Sequence, residues 1–312
     1  MAKYLVTGGA GFIGSTIVEL LLADGHKVKV LDDLSTGKKE NIERFLGDIE
    51  FILGDVRDKG AVREAVTGVG HVIHQAAYLS VAGSVENPLE VNDINVAGTL
   101  NLLQASRKAG VERFVFASSS SVYGNSTDLP QGEGTALDPI SPYAASKIAG
   151  EYYCRMFSNV MGLDTVMLRY FNVFGPRQNI ASRYSAVIPT FIARVLDGLP
   201  CVIDGEGDQT RDLVYVSDVA RANIIASTRE GVSGKVFNVG SGERYSILDI
   251  AKKIGNLVGK DTEPVHGPRR AGDADHTMAS IELLKDVLGA PPLKGFEEGL
   301  AETIDWFAKN GF

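Results

Sequence analysis

The sequence predicts an α/β protein built on a doubly wound parallel sheet, followed by a second, smaller α/β lobe, and three observations carry that prediction. A glycine-rich run from Thr7 to Gly14 stands between a short apolar stretch, Lys3 to Val6, and a stretch whose apolar residues recur at helical spacing (Phe12, Ile13, Ile17, Val18, Leu20, Leu21, Leu22). Short apolar runs then alternate with helical patterns as far as Tyr170, the order expected of parallel strands joined by crossovers. Beyond Tyr170 glycine and proline become denser and the elements shorten, which places the boundary of the lobes at residues 172/173.

In the first unit the glycines have distinct roles. Gly9 allows the tight turn, Gly11 lets a phosphate approach the backbone, and Gly14 lets the helix pack close to the strand, with Gly8 also expected to line the cofactor. The amides of Phe12 and Ile13 then stand at the positive end of a helix, facing a pyrophosphate. Lys27 to Leu31 forms the next strand and ends in Asp32, at the spacing of the acid that accepts hydrogen bonds from an adenosine ribose. A carboxylate there repels a 2′-phosphate and Asp33 adds to the repulsion, so the expected cofactor is NAD rather than NADP.

Ile49 to Gly54 and Val69 to His74 are further strands, with a helix near Asp58 to Val66 between them. Asp55, followed by Val56, ends the third strand, where it either reaches an adenine ring or caps the helix; the spacing leaves both open. Ala76 and Ala77 are small enough for a backbone to pass close to the cofactor. Pro88 and Gly110 bracket a long helix with an apolar face broad enough to be buried on two sides. Val111 to Ala117 is a strand that delivers Ser118, Ser119, Ser120 and Ser121 to its carboxyl end, where doubly wound sheets bind ligands. A polar loop, Gly124 to Ser141, leads into a helix with Pro142 in its first turn, reaching about Gly162 and carrying Tyr143 and Lys147 on one face. Asp164 to Tyr170 is the sixth strand, and segments near 211–239, notably Val214 to Val216 and Val236 to Val239, are expected to return to the sheet.

A tyrosine is a weak base at neutral pH, but an ammonium one helical turn away favours its phenolate. With Ser119 holding a substrate oxygen, Tyr143 and Lys147 suit the removal of a proton from an alcohol while hydride leaves the same carbon. The chain has 312 residues and a formal net charge of −8, which argues against nucleic acid as a partner. A phosphate-bearing substrate then needs a few placed arginines, and Arg177, Arg211 and Arg270 stand in suitable loops. No apolar run is long enough to span a bilayer and no basic leader precedes the first strand, so a cytoplasmic protein is expected. Cys154 and Cys201 match no metal spacing and read as ordinary buried thiols, so neither a metal nor a disulfide is expected.

Taken together, these motifs resemble the extended short-chain dehydrogenase/reductases, which carry a Rossmann fold, and within them the nucleotide-sugar (UDP-glucose and UDP-N-acetylglucosamine) 4-epimerases. The resemblance runs through TGGAGFIGS at Thr7, LDDLSTG at Leu31, GDVRD at Gly54, HQAA at His74, SSSSVYG at Ser118, SPYAASK at Ser141, RYFNVFGPRQ at Arg169, TRDLVYVSDVA at Thr210 and RAGD at Arg270. It implies Tyr143 as base, Lys147 as the residue that tunes it and holds the nicotinamide ribose, and Ser119 as the third member, with Ser80 and Ser120 nearby. It further implies Asn172 and Arg211 on the substrate diphosphate, Arg270 and Asp273 on the diphosphate and uridine ribose, and the backbone of Ala186 and Val187 against the uracil. NAD is retained through the cycle, and a homodimer forms through the helices corresponding to Pro88–Ala109 and Pro142–Gly162.

Departures narrow the expectation. Ser120 and Ser121 stand where related 4,6-dehydratases place an acidic pair, which disfavours dehydration. Thr277, small where a tyrosine is common, leaves room for an N-acetyl group, and Ala77 to Val81 is closer to epimerases of N-acetylated sugars. The expected activity is epimerisation of UDP-glucose and UDP-galactose and of their N-acetylated counterparts. UDP-glucuronate is the rival substrate, because SSSSVYG also occurs in its epimerases. A redox sensor without turnover is the alternative from another class; it goes with loss of the tyrosine or lysine, and both are present.

Overall fold

The strand Lys3–Thr7 (β1) lies inside a seven-stranded parallel sheet, and every other part of the site is placed relative to its carboxyl end. The computed structural model describes residues 1–179, 187–260, 263–268 and 275–311. From β1 the chain passes through helix Phe12–Ala23 (α1) to Lys27–Asp32 (β2), then to Ile49–Leu53 (β3), helix Lys59–Val66 (α2) and His71–His74 (β4). Helices Val81–Glu86 (α3), Pro88–Val91 (α4) and Thr99–Ala109 (α5) precede Arg113–Ser119 (β5), and helix Pro142–Met161 (α6) precedes Asp164–Tyr170 (β6). Next come Asn172–Phe174 (β7), helix Val187–Leu196 (α7), Val202–Asp204 (β8), Thr210–Arg211 (β9), Leu213–Tyr215 (β10) and helix Val216–Thr228 (α8). Val236–Val239 (β11), Tyr245–Ser246 (β12), helix Ile247–Val258 (α9), Val265–Gly267 (β13) and helix Phe296–Asn310 (α10) complete the order.

Across the sheet the strands run β11-β6-β5-β4-β1-β2-β3. Chain order reverses between β1 and β4, so a crevice opens at the carboxyl ends of those two strands. One apolar cluster joins α1 and α8 to one face of the sheet, including Ile17, Val18, Leu21, Val219 and Ala222. A second joins α2, α5 and α6 to the other, including Val62, Leu102, Leu103, Cys154 and Phe157. A third, built on Phe174, Phe191, Ile203, Ile250 and Leu300, forms the core of the C-terminal elements. Cys154 and Cys201 are both buried free thiols.

Two expectations change at this level. Val236–Val239 does return to the sheet, beside β6, but Leu213–Tyr215 pairs with β7 in a separate two-stranded sheet. The reason lies in β7: the chain leaves the large sheet at Tyr170 and offers β10 a nearer edge. The long helix after Pro88 is not uniform either, since a π-helical stretch, Asn92–Gly98, joins α4 to α5 and shifts the face of the residues it carries.

Helix α6 starts at Ser141, whose hydroxyl accepts from the Ala144 amide at 3.1 Å, and stops at Gly162 in the left-handed region. It approaches β5 closely at Gly150, where a Cβ would lie 2.3 Å from the ring of the buried Phe116. Gly150→Ala is therefore expected to destabilise the protein by about 1–3 kcal/mol, measured as a lower urea midpoint against wild type.

Candidate active site

Where β1 ends, the chain turns through Gly8 at φ +66°, and a Cβ there would lie 2.7 Å from the Ala76 amide nitrogen. Gly14, in the first turn of α1, would place its Cβ 2.0 Å from the Gly8 carbonyl oxygen. Glycine alone fits either position. The left-handed residue of the turn is thus Gly8, while Gly9 is needed because it packs against Val30, 2.7 Å from a Cβ. Gly11 is the N-cap of α1 and supplies no side-chain acceptor, so Phe12 and Ile13 open the helix with its positive end uncapped. This cradle of backbone and small residues fits a pyrophosphate.

Asp32 ends β2 nearby, with its Oδ2 accepting from the Ala10 amide at 2.9 Å and its Oδ1 from Leu34 at 2.8 Å. Burial raises the carboxyl above its ordinary value and those two bonds work against the rise. Each oxygen retains a lone pair for a ribose hydroxyl. Asp33 is occupied by Ser35, through its backbone amide at 2.9 Å and its hydroxyl at 2.6 Å. Asp55 is held by Arg57, whose amide and guanidinium lie 2.5–2.8 Å from its oxygens, and the cap of α2 falls instead on Asp58, which accepts from Gly60 at 2.7 Å. Val56 is buried behind it.

The segment after β4 is fixed from below. Thr7 and His74 are linked at 2.7 Å, His74 and Thr99 at 2.9 Å, and the Ala76 amide donates to the Thr7 hydroxyl at 3.3 Å. Asn95, in the π-helical stretch, accepts from the Tyr78 amide at 2.7 Å and donates to the Ser146 hydroxyl at 3.0 Å. It clamps the stretch that carries Ala76 and Ala77 onto α6. Ser80 caps α3, its hydroxyl accepting from Gly83 at 2.9 Å. The role of Asn95 is not evident from the motifs; an asparagine within an otherwise apolar helical face is the signal that points to it.

The strand β5 brings Ser119 beside Tyr170 of β6, and α6 brings Tyr143 over both. Burial pushes the Tyr143 phenol above its ordinary value, while a hydrogen bond with Ser119 works the other way. Ser119 also takes the Ser121 amide at 3.2 Å and hydroxyl at 2.9 Å, and Ser120 opens the short helical turn that follows. Lys147 lies 5.7 Å from the centre of the Tyr143 ring and donates to the Ala117 carbonyl at 2.8 Å. Burial lowers its pKa to about 8, with the Glu151 carboxylate opposing. At neutral pH Lys147 therefore remains an ammonium. Burial is the larger influence on the phenol and the Ser119 bond opposes it, while Lys147, with one donor on Ala117, keeps its charge beside the ring.

Beneath this group Arg169 holds Glu151 through two bonds, at 2.8 and 2.7 Å, and Ser118 donates to the same carboxylate at 2.5 Å. On the opposite flank, Asn172 donates to the Asp212 carbonyl from its backbone at 3.0 Å and from its side chain at 3.2 Å. The Thr277 hydroxyl accepts from the Asp212 amide at 3.3 Å, and Arg211 reaches the carbonyls of Thr210 and Asp275 at 3.0 and 3.3 Å. Val187 opens α7 and is half-buried. Arg177 does not stand free for a phosphate: it pairs with Glu19 on α1, which also holds Arg44 at 2.6 Å. Ala186, Arg270 and Asp273 lie outside the described residues.

The chain resembles known proteins along nearly its whole length. A family model described as the NAD dependent epimerase/dehydratase family matches residues 4–240. The UDP-glucose 4-epimerase of Mycolicibacterium smegmatis is 40% identical over 311 residues, covering 98% of each chain. Among solved structures, the UDP-N-acetylglucosamine 4-epimerase of Methanobrevibacter ruminantium, in complex with UDP-N-acetylmuramic acid, superposes with a TM-score of 0.95 at 39% identity, covering 99% of this chain and 98% of that one. The UDP-glucose 4-epimerase of Thermus thermophilus in complex with NAD gives 0.89 at 40% identity, covering 99% and 100%.

The buried His74 supplies a test of the geometry. Burial, helped by the charge of Lys147, lowers its pKa to about 3 from 6.5, so between those values the unfolded chain binds the extra proton and the folded one does not. Stability is full above the ordinary histidine value and falls as pH drops through it, by about 2 kcal/mol from this residue at about pH 5. Urea unfolding at neutral and mildly acidic pH should show a larger loss in wild type than in His74→Gln; equal losses count against a neutral imidazole at this position.

Proposed function

The chain belongs to the NAD dependent epimerase/dehydratase family, and from that premise we propose that it is a UDP-hexose 4-epimerase. It interconverts UDP-glucose with UDP-galactose, and UDP-N-acetylglucosamine with UDP-N-acetylgalactosamine, by transient oxidation at carbon 4 of the sugar. The observation that carries this reading is the convergence of Ser119, Tyr143 and Lys147 at the carboxyl ends of β5 and β6, across the crevice from the Gly8–Gly14 cradle.

When bound, NAD supplies the acceptor that takes hydride from carbon 4 and later returns it. The cradle would hold its pyrophosphate and Asp32 its adenosine ribose, with Ala76 and Ala77 small enough to lie beside it. Tyr143 takes the proton of the sugar 4-hydroxyl while Ser119 donates to that oxygen, and Lys147 stabilises the phenolate by its charge. The 4-ketone turns over in the pocket, and Tyr143 returns the proton to its oxygen as the same hydride is restored to the other face of carbon 4. Asn172 and Arg211, with Arg270 and Asp273, take the diphosphate and uridine, and Thr277 is small enough to admit an N-acetyl group. Among the described residues no helix is long and apolar enough to cross a membrane; a cytoplasmic location belongs to the same proposal.

Tyr143→Phe should retain NAD and lower kcat by roughly 10²–10⁴-fold. Proton NMR on the purified protein with UDP-galactose, UDP-N-acetylgalactosamine and UDP-glucuronate in separate tubes checks substrate and base together. Formation of the 4-epimer of the first two is expected, and conversion of the glucuronate alone would replace this reading by its rival. We also propose a homodimer through α4, α5 and α6, because Leu89, Tyr152 and Val160 expose large apolar surface there. Sedimentation should give a dimer for wild type and a monomer for the Tyr152→Asp, Val160→Asp double variant.

A further inference from the structure

The stretches carrying Asn172, Arg211 and Thr277 approach from three parts of the chain, and one residue that contacts no expected ligand joins them, through its backbone to Asn172 and Thr277 and through its side chain to the segments behind them. Asp212 is fully buried, at 0% exposure. Its Oδ1 accepts from the Ser241 amide at 2.7 Å and the Ser241 hydroxyl at 2.9 Å, and its Oδ2 from the amides of Gly242 at 3.0 Å and Ala279 at 2.9 Å. Its backbone meanwhile takes both Asn172 donors and gives its N–H to Thr277. Space around the carboxylate is closed: a Cβ on Gly240 would lie 3.0 Å from one carboxylate oxygen and 2.6 Å from the Ala279 methyl.

We propose that Asp212 is the positioning residue of the nucleoside-diphosphate subsite, fixing Asn172, Arg211 and the 277–279 segment in binding register without touching the ligand. The proposal rests on the UDP-sugar reading given above. A carboxylate is required because all four partners are donors, three of them backbone amides that no side-chain change can remove. Burial raises its pKa and the four bonds oppose the rise, as expected of a charge accommodated by donors rather than by a cation. An amide at this position turns one acceptor oxygen into a donor, which faces the Gly242 and Ala279 N–H groups on one side or the Ser241 N–H and hydroxyl on the other. The segments bearing Ser241–Gly242 and Ala279 are then pushed away, and Thr277, two residues from Ala279, moves with them.

Asp212 makes none of the bonds that hold Tyr143, Lys147 or Ser119, so its loss should fall on binding. Asp212→Asn and the milder Ser241→Ala, which removes the hydroxyl donor together with that hydroxyl's contacts to the Glu243 backbone but leaves the three amide donors, are to be compared with wild type. Thermal unfolding reports folding, calorimetric titration gives the UDP affinity, and kcat and KM are measured on UDP-galactose. Expected for Asp212→Asn is a tenfold or greater rise in both the UDP Kd and KM, roughly the loss of one charge-assisted bond, with kcat within about threefold. If that variant does not fold, Ser241→Ala decides, with an expected rise of roughly threefold in Kd and unchanged kcat. A folded variant that binds UDP like wild type, or that loses kcat with affinity intact, overturns the proposal. Wild-type protein that binds no UDP overturns the UDP-sugar reading itself, a result distinct from either.

Discussion

A buried ion pair sets the geometry of the reaction centre. Arg169 on β6 grips Glu151 on α6 through two parallel bonds, and both side chains are almost wholly removed from water. Such a pair adds little net stability, because desolvation offsets its attraction, but breaking it by removal of one partner costs about 3–5 kcal/mol. Its value is therefore one of register. Glu151 stands one helical turn beyond Lys147, Arg169 precedes Tyr170, and Ser118, which also binds Glu151, precedes Ser119. Three elements that must agree to within a fraction of an ångström are thus locked by neighbours of the residues that act. The same guanidinium donates to Tyr123 at 2.9 Å, whose hydroxyl donates to Asn238 on β11 at 2.6 Å, and the lock extends to the edge of the sheet.

The pair also supplies charge. Burial works against the Arg169 guanidinium, but its bonds and attraction to Glu151 outweigh that and hold its pKa above the ordinary value. For Lys147 the balance runs the other way, since burial lowers its pKa and the Glu151 charge limits the fall. An ammonium at neutral pH beside a buried phenol is what proton transfer from an alcohol requires. His74, facing the same lysine from β4, is held neutral by burial and by that positive charge. The crevice thus carries its positive charge on Lys147, beside the phenol that the proposed reaction would ionise.

Much of this is legible in the sequence because it depends on local rules. Gly8, Gly14 and Asp32 announce the first βαβ unit through spacing alone, since the turn, the close packing and the acid at the strand end all fall within some thirty residues. Tyr143 and Lys147 are legible for the same reason, being one turn apart on one helix. What stays hidden depends on pairings between distant residues. Leu213–Tyr215 reads as a strand, but whether it joins the large sheet depends on the edge that β7 offers. Asp212 looks like an ordinary polar residue at the start of an apolar strand; its four donors come from residues 241, 242 and 279.

The two flanks of the crevice are held by different means, and that difference separates chemistry from recognition. The flank proposed to move the proton hangs on side-chain bonds within the sheet and α6, whose apolar contacts with β5 and β6 are continuous. The substrate flank hangs on short strand pairs, β7 with β10 and β9 with β12, joined through one carboxylate. Changes in the loops of that second flank can reshape the site for the sugar without moving Ser119, Tyr143 or Lys147, because the bonds of Asp212 and Thr277 run to other residues. A scaffold organised in this way lets one flank vary while the other stays in place, which accords with relatives of similar fold whose structures hold UDP-glucose and UDP-N-acetylmuramic acid.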